Sequence, residues 1–479
     1  MGRGEEKSMK NRVLISKLIV CISMLCVLAG CQLTPEKPAV VNKNNGKLEE
    51  KMFEPAAAAK AIEVPSHWNE TAGGDLFDIC IDTDVTVPDV SEYPVVKLEH
   101  TQFTQEQVNR FVRYFAGDAK LFLPRVKTKA DYDEDIVQAK MGMEVDGEFV
   151  VTEDSEAWVK ELESMRENAP DNSPVVYTDT TLTYDRNEFG KDIIETGKNF
   201  LSVNFENAEG TEGAIWVSNN LEGYSRASTL YYNANPEVGY IAESEYLLEQ
   251  SIGSVEENHS MDGLAAIYDK VSLSEQEAQA RALQAISDLG INDLALISAD
   301  RAASLEVPDK PGYQLVFARQ SGGIPVYSID EHNSTEEALP LYAPPFEEES
   351  LTMIVTEDGI KQFSWRGYAK AVNTVTQNVE LLPFEEIKQA LKDQIVYKKS
   401  FDHLDESYGK SNYAVSVNSA ALRMGYIGVK DNIAQAYMVP VWVFETTCEY
   451  DNAVLNKHEK LPDHTYVFNA IDGGAIERN

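Results

Sequence analysis

Residues 271–291 read VSLSEQEAQARALQAISDLGI, and this stretch carries the start and stop signals of one helix. Ser274 followed by Glu277 is the capping-box pattern, in which each side chain bonds the backbone N–H of the other residue. Gly290 provides the left-handed residue with which many helices end. The stretch therefore predicts a helix between these two signals.

Three strand-like stretches follow this helix. They read LALISADRA (294–302), YQLVFARQSGGIPVYSI (313–329) and LTMIVTEDGIKQFSW (351–365). The last stretch predicts a hairpin around Asp358-Gly359, because an Asp-Gly pair between apolar runs is typical of tight hairpin turns. A helix followed by antiparallel strands predicts a sheet that packs against that helix.

The same order of elements occurs a second time. Residues 381–395, LLPFEEIKQALKDQI, predict another helix, and the strands after it close on a second Asp-Gly turn at Asp472-Gly473. Four helix positions match at an offset of 109, pairing Glu277, Ala278, Ala282 and Ile286 with Glu386, Ile387, Leu391 and Ile395. The sequence therefore predicts two helix-plus-antiparallel-sheet modules, at residues 270–370 and 380–479.

Residues 66–265 predict an N-terminal α+β domain ahead of the two modules, so the predicted fold class is α+β. Thr104 and Gln107 form another capping box, at the start of FTQEQVNRFVRYF. The acidic stretch DYDEDIVQAKMG begins like a calcium loop, but Ile136 stands where that loop needs glycine, so a charged helix is the better interpretation. A further helix is predicted to end before Pro170, and strand-like pieces occupy residues 174–245.

The first thirty residues predict a signal peptide. Leu18 to Gly30 is an uncharged apolar run that is too short to cross a bilayer as a helix but suits a signal peptide. The run ends in LAGC, which resembles the lipobox of bacterial lipoproteins. The resemblance implies cleavage between Gly30 and Cys31, lipid attachment at Cys31, and a location at the extracytoplasmic face of the cell membrane. The alternative is an ordinary cleaved signal with a chance cysteine.

Residues 31–65 are rich in Pro, Asn, Lys, Glu and Ala and predict a flexible tether between the anchor and the body. The chain has 479 residues and a formal net charge of −37, which argues against a nucleic-acid partner and against a polybasic contact with anionic lipid. Cys80 and Cys448 are the two cysteines of the predicted folded body. Two alternatives remain for them: a disulfide that links the N- and C-terminal regions, or two thiols that never meet.

Residues 270–479 are similar to PepSY-like modules and to extracytoplasmic regulators of the YycH/YycI type. The similarity is carried by LSEQEAQARALQAI and by PVWVFET followed by YVFNAIDGGAIER, with Ile471 where the turn usually carries Thr. The whole chain also resembles uncharacterised Firmicutes surface lipoproteins grouped as a domain of unknown function (DUF6034-like). The resemblance implies binding or inhibition of a protein partner outside the cytoplasm, and it brings no catalytic residues.

The sequence contains no motif for a metal, a cofactor or a nucleophile. Its seven histidines lack the HExxH spacing, no CxxC occurs, and no G-x-S-x-G surrounds a serine. The leading hypothesis is a non-enzymatic lipoprotein, anchored in the bilayer through acylated Cys31, that binds a membrane- or wall-associated protein. The alternatives are an envelope glycan or peptidoglycan hydrolase, whose carboxylates no sequence pattern singles out, and a ligand-binding subunit of a transporter.

Overall fold

The structure is a computed structural model that describes most of the chain from residue 47 onward. The described residues are 47–73, 77–141, 143–145, 148–150, 153–184, 198–206, 212–219, 221, 227–236, 238–251, 259–327, 346–402, 410–429, 432–452 and 457–476. Helices account for 26% and strands for 44%, so the predicted α+β class is confirmed, with more sheet than helix.

The described residues contain eight helices. They are α1 (Lys47–Met52), α2 (Gln105–Ala116), α3 (Lys129–Met141), α4 (Glu153–Asn168), α5 (Glu243–Ser251), α6 (His259–Tyr268), α7 (Glu275–Leu289) and α8 (Phe384–Asp402). All the helices that the sequence predicts are confirmed, including the charged helix α3 in place of a calcium loop. The capping boxes at Thr104 and Ser274 are both present, and Gly290 ends α7 in the left-handed conformation.

Two large sheets hold most of the strands. The strands are β1 (His67–Gly73), β2 (Asp78–Thr86), β3 (Val95–His100), β4 (Leu121–Phe122), β5 (Met143–Val145), β6 (Glu148–Val150), β7 (Tyr177–Thr178), β8 (Thr183–Tyr184), β9 (Lys198–Glu206), β10 (Glu212–Ser218), β11 (Thr229–Asn233), β12 (Ile241–Ala242), β13 (Leu294–Ala303), β14 (Gly312–Ser321), β15 (Ile324–Pro325), β16 (Ser350–Thr356), β17 (Gly359–Arg366), β18 (Ala369–Thr376), β19 (Lys410–Val429), β20 (Asn432–Asn452) and β21 (Lys457–Asn469).

The two sheets take their strands from different parts of the chain. The terminal sheet has the order β1-β2-β19-β20-β3-β18, with β21 also paired to β20, and its strands come from both ends of the described chain. The middle sheet has the order β12-β13-β14-β16-β17-β11-β10-β9-β4-β7, with β15 and β8 paired to β14 and β9, and all its strands lie within residues 121–366. The middle sheet is thus an insertion between the two halves of the terminal sheet.

Each sheet packs against one of the two helices that match at the offset of 109. On α7 the buried side chains include Ala278, Ala282 and Ile286, which belong to the core of the middle sheet. The corresponding Ile387, Leu391 and Ile395 of α8 are fully buried in the core of the terminal sheet. Each fully buried aliphatic side chain of this kind contributes about 1.5–3 kcal/mol of hydrophobic stabilisation.

The sheets do not follow the predicted domain boundaries. The predicted N-terminal domain, residues 66–265, supplies β1–β3 to the terminal sheet and β4 and β7–β12 to the middle sheet. The predicted module at residues 270–370 likewise ends inside β18, which pairs with β3 in the terminal sheet. Pairing between distant segments, such as the parallel contact of β2 with β19, leaves no periodic signal in either strand.

Part of the predicted tether, residues 31–65, packs against the body of the protein. Leu48 and Met52 of α1 are almost fully buried in the core of the terminal sheet. The Lys51 ammonium donates a hydrogen bond to the Ile471 carbonyl oxygen at 3.0 Å, and the Ala57 N–H donates to the Asn378 carbonyl oxygen at 3.0 Å. The body of the protein therefore includes residues ahead of residue 66, from α1 onward. No helix among the described residues is long and apolar enough to span a membrane.

Candidate docking surface

A segment of the chain that leaves the edge of the middle sheet at β4 and returns at β7 forms the candidate functional surface. We call its described residues between 120 and 178 the arm. The arm consists of a two-stranded stalk (residues 120–128 and 172–178), the helices α3 and α4, and the short hairpin β5–β6 between these helices. In the stalk Phe122 pairs with Tyr177, and the Leu123 N–H donates to the Val176 carbonyl oxygen at 2.9 Å. The stalk joins the sheet where β4 pairs with β9.

The two helices of the arm pack against each other around a small hydrophobic cluster of their own. Its buried members are Ile136, Val159 and Leu162, and this cluster is separate from the cores of the two sheets. Arg166 of α4 and Asp133 of α3 form a bidentate ion pair across the hairpin, with N–O distances of 2.5 and 2.9 Å. The helical hairpin is therefore a satellite unit that is held by its own contacts.

Local capping explains why α3 starts where it does. The Thr128 N–H donates to the Asp131 carboxylate at 2.7 Å, and the Thr128 hydroxyl donates to the same oxygen at 2.8 Å. These bonds from Thr128 hold the pKa of the Asp131 carboxyl below its usual value. At the same end of the hairpin, the Lys129 N–H donates to the Pro170 carbonyl oxygen at 3.0 Å, which closes its base.

The arm exposes an unusual amount of apolar surface. Val126, Val175 and Tyr177 of the stalk are 62%, 61% and 64% exposed. Eight large apolar side chains of the arm are exposed in all: Leu123, Val126, Val137, Met141, Trp158, Val175, Val176 and Tyr177. Single exposed apolar residues are ordinary, but a group of them on one small unit makes the arm the candidate docking surface.

Positive charge is also concentrated at the stalk. Residues 120–129 contain Lys120, Arg125, Lys127 and Lys129 and no acidic residue, in a chain whose net charge is −37. The Lys120 ammonium lies 5.5 Å from the centre of the Tyr177 ring. The other three cations form exposed ion pairs with Asp131, Asp135 and Asp171. Such exposed pairs contribute about 0–1 kcal/mol each, so they exchange partners at little cost.

The junction between the two sheets has the opposite character, because it buries charge. Arg319 of β14 lies with its Nε atom 2.5 Å from the carboxylate of Glu349, and the Trp365 indole N–H donates to the other oxygen of that carboxylate at 3.0 Å. A second guanidinium N–H donates to the carbonyl oxygen of Ala369, which belongs to the terminal sheet. Both members of the pair are buried, so this contact ties the two sheets together.

Burial and attraction act against each other in this pair. Burial raises the pKa of Glu349 to about 7, although Arg319 and Trp365 oppose the shift by stabilising the carboxylate. Burial also disfavours the charge on Arg319. The Glu349 carboxylate, together with Tyr426 and Asp293, outweighs the effect of burial and raises the pKa of the guanidinium. Arg319 therefore stays charged, and Glu349 is the member of the pair that titrates near neutral pH.

A cavity of about 320 Å³ opens beside this junction. It is lined by Val90, Ser91, Glu92, Pro94, Val96, Ser321, Gly322, Thr374 and Gln377. Glu92 is the one charged residue of the lining, whereas glycoside hydrolysis by the usual mechanism uses a pair of carboxyl groups. Glu349 is not among the lining residues.

The predicted site residues fall into two groups. Gly30 and Cys31, with the rest of the predicted signal peptide, lie outside the described residues. Cys80 and Cys448 are described, and neither forms a disulfide. Cys80 is paired with Ser416 of β19, whereas Cys448 is paired with the adjacent Val415 from the other side of the same strand.

This register keeps the two cysteines apart. Adjacent residues of a strand point to opposite faces of the sheet, so the two side chains lie on opposite faces. With β19 between them, their Cα atoms are separated by about two strand spacings, roughly 9.6 Å, whereas a disulfide needs less than about 7 Å. Of the two alternatives, the structure therefore shows the one in which the thiols do not meet.

His67 of β1 is held between two carboxylates. Both ring nitrogens of His67 lie 2.8 Å from carboxylate oxygens, Nδ1 from Asp84 and Nε2 from Asp82. The hydrogen bonds to Asp84 and Asp82 raise the pKa of His67 and leave neither nitrogen free to act as a base. Among the described residues, no group of three or more His, Cys, Asp or Glu side chains could hold a metal ion.

Comparisons with known proteins identify no family for this chain. No family model matches it, and no curated protein matches it. A solved structure described as that of an uncharacterized protein from Eubacterium rectale ATCC 33656 is similar, at 15% identity and a TM-score of 0.37. The similarity covers 92% of this chain and 100% of that chain, and a TM-score of this size supports no conclusion about function.

The arm is the feature that sequence reasoning missed. The sequence predicts its two helices, but it indicates Tyr177 only as part of the strand-like pieces at residues 174–245. Pro124 and Pro174 flank the exposed apolar residues, and proline near a strand favours the edge of a sheet. That pattern is the one local signal that could have identified this strand as an edge.

Proposed function

We propose that this protein is a lipid-anchored lipoprotein of the extracytoplasmic membrane face that binds a membrane- or wall-associated protein and performs no catalysis of its own. The anchor is the acylated Cys31, and the docking surface is the arm. The observation that carries the proposal is the set of eight exposed apolar side chains on the arm. Large apolar side chains grouped on a small unit are costly to leave in water and are typical of protein-binding sites.

The cell-based test places a photo-crosslinking amino acid at positions of matched exposure. Trp158 of the arm is 49% exposed, and Leu283 of α7 and Val396 of α8 are each 51% exposed. We expect the variant at Trp158 to give one discrete protein adduct in intact cells, and the variants at Leu283 and Val396 to give none. Equal labelling from all three positions would contradict a specific docking surface.

The affinity between the purified protein and its purified partner provides the quantitative test. Once mass spectrometry identifies the adduct, the Trp158→Ser variant should weaken binding of that protein by about tenfold or more, as expected for a large aromatic anchor. Leu283→Ser is the matched control, and its affinity should stay within about twofold of the wild type. An unchanged affinity for Trp158→Ser would show that the adduct reports proximity and not docking.

The anchor has its own test. The Cys31→Ser variant should be released into the medium or remain unprocessed, because serine cannot carry the thioether-linked lipid. Fractionation of cells and medium, with mass spectrometry of the mature N-terminus, measures both outcomes. A variant that is cleaved normally and stays in the membrane would contradict lipid attachment at Cys31.

A measurement of substrate turnover distinguishes the hydrolase alternative from the proposed binding role. The purified protein is incubated with peptidoglycan and with envelope glycans in the absence of any partner. Release of soluble fragments would overturn the non-enzymatic part of the proposal. Loss of that release in Glu92→Gln would then assign the reaction to the junction cavity, since Glu92 is the charged residue of its lining.

A further inference from the structure

The exposed edges of the two sheets are protected in different ways. Unpaired strand edges attract other strands, and proteins usually block them with charged side chains or proline. The outer strand β1 carries His67 and Glu70, and β21 carries the charged run 457–460 together with Pro462. These edges of the terminal sheet therefore have the usual protection.

The β7 edge of the middle sheet has Pro174 ahead of its exposed residues but no charged side chain among them. In the described part of the chain, β4 is the only strand neighbour of β7. Tyr177 of β7 and the two residues before the strand, Val175 and Val176, are all exposed, with no charge between them. An apolar, uncharged edge is the type that accepts a strand from another chain.

The register shows which backbone groups are available at this edge. Leu123 and Val176 lie opposite each other and are joined by a backbone hydrogen bond, so Val176 directs its backbone N–H and C=O toward β4. Alternate residues of a strand direct these groups to opposite sides, so Val175 and Tyr177 direct theirs away from β4. The open edge thus offers two residues to an incoming strand.

We infer that the protein partner binds by adding an extended strand to β7, with apolar side chains that alternate with carboxylates. This inference rests on the proposed docking role of the arm and specifies how the docking occurs. Backbone hydrogen bonds from Val175 and Tyr177 hold the strand, and its apolar side chains cover the exposed stalk residues. Its carboxylates meet Lys120, Arg125 and Lys127, the cations of the stalk.

Charge favours such a partner over two other occupants. A second copy of this chain would bring another net charge of −37 to the contact, and like charges disfavour the approach. An anionic membrane surface would repel the same acidic body. The stalk cations Arg125 and Lys127 form exposed ion pairs with Asp131 and Asp135, and such pairs exchange with incoming carboxylates at little cost.

A designed peptide tests the mode of binding directly. The probe is a fluorescein-labelled peptide, Val-Glu-Val-Glu-Tyr-Glu-Val, titrated with the purified full chain and followed by fluorescence anisotropy. Methylating the two backbone nitrogens that face β7 leaves every side chain in place and should weaken binding by about tenfold or more. Replacing the three Glu residues by Lys should weaken it by about three- to tenfold.

A pair of variants separates the backbone of the edge from its side chain. Tyr177→Ala removes the exposed ring and should weaken peptide binding by about threefold. Tyr177→Pro also removes the outward N–H and should weaken it by about tenfold or more. Both variants should fold, because Tyr177 is 64% exposed and its N–H does not pair with β4. Protection of the Leu123 amide from hydrogen exchange verifies that the stalk is intact.

The outcomes separate this inference from the proposed function. Equal binding of the methylated and unmethylated peptides would overturn strand addition. A dimer in light scattering that Tyr177→Pro abolishes would identify a second copy as the occupant. Binding to phosphatidylglycerol vesicles that the same variant abolishes would identify the membrane. Failure of every peptide together with a specific crosslink from Trp158 would overturn strand addition and leave the docking role of the arm intact.

Discussion

The arm and the junction invert the usual distribution of side chains in opposite ways. The arm places large apolar side chains in water, among them Trp158 and Tyr177. The junction takes a charged pair, Arg319 and Glu349, out of water. Both arrangements cost free energy in the isolated chain, the first through hydrophobic hydration and the second through desolvation of charge.

The difference lies in where the compensation comes from. The junction is compensated from within, because Glu349 accepts from Arg319 and from Trp365, and Arg319 also donates to the Ala369 carbonyl oxygen. The arm has no such internal compensation for its exposed apolar surface, and its small cluster around Ile136 serves only its own two helices. Buried charge here joins the two sheets, whereas the arm leaves large apolar side chains in contact with water.

The largest effect is expected when the junction loses one partner. Arg319→Met should lower the free energy of unfolding by about 3–5 kcal/mol, because it leaves the Glu349 carboxylate buried without its counter-ion. Urea denaturation at pH 8 measures the change. The double variant Arg319→Met, Glu349→Leu should recover much of the loss, and a single-variant loss below about 1 kcal/mol would show that the junction is not internally compensated.

A pH series on the junction should show the next largest effect. Folding raises the pKa of Glu349 from 4.5 to about 7, so the folded state binds more protons than the unfolded state between these values. This contribution to stability is complete below about pH 4.5 and is lost as the pH rises through 7, on the order of 3 kcal/mol in total. Denaturation of the wild type and Glu349→Gln from pH 4.5 to 8 isolates it. A difference between the two proteins that does not change with pH would contradict titration at Glu349.

The independence of the arm is tested by a core substitution within it. Ile136→Ala removes a buried side chain from a cluster that is separate from both main cores. We expect the free energy of local opening of α3 and α4 to fall by about 2 kcal/mol, with global unfolding changed by less than about 0.5 kcal/mol. Native-state hydrogen exchange of these helices, with β14 and β16 as internal controls, measures both quantities. Equal loss in the helices and the sheet would show that the arm unfolds with the body.

The smallest effect on stability is expected at the exposed surface of the arm. Val175→Thr and Val176→Thr keep the β-branched shape that strands prefer, and the side chains lie in water. Each change should shift the free energy of unfolding by no more than about 0.5 kcal/mol while lowering partner affinity. Thermal denaturation supplies the first value and the crosslinking yield from Trp158 the second. A large stability loss would show that these side chains pack against the body.

Local signals in the sequence predicted the helices well. The capping boxes at Thr104 and Ser274 and the stop at Gly290 are formed as expected, because the atoms that make them lie within a few residues of each other. The hairpin predicted around Asp358-Gly359 is present, with Thr356 paired to Gly359. The candidate docking surface was not predicted, since exposure of Val175 and Tyr177 depends on where the sheet ends and not on their neighbours in the chain.

The sequence by itself determined the α+β class, the two sheet-packing helices and the places where helices start and stop, because caps and periodicity act over a few residues. The tertiary structure alone decided that the middle sheet lies between the two halves of the terminal sheet and that α1 packs into the body. It also decided that β19 separates Cys80 from Cys448. These features depend on which distant strands share backbone hydrogen bonds. Every strand offers the same backbone groups, so the sequence of one strand does not indicate its partner.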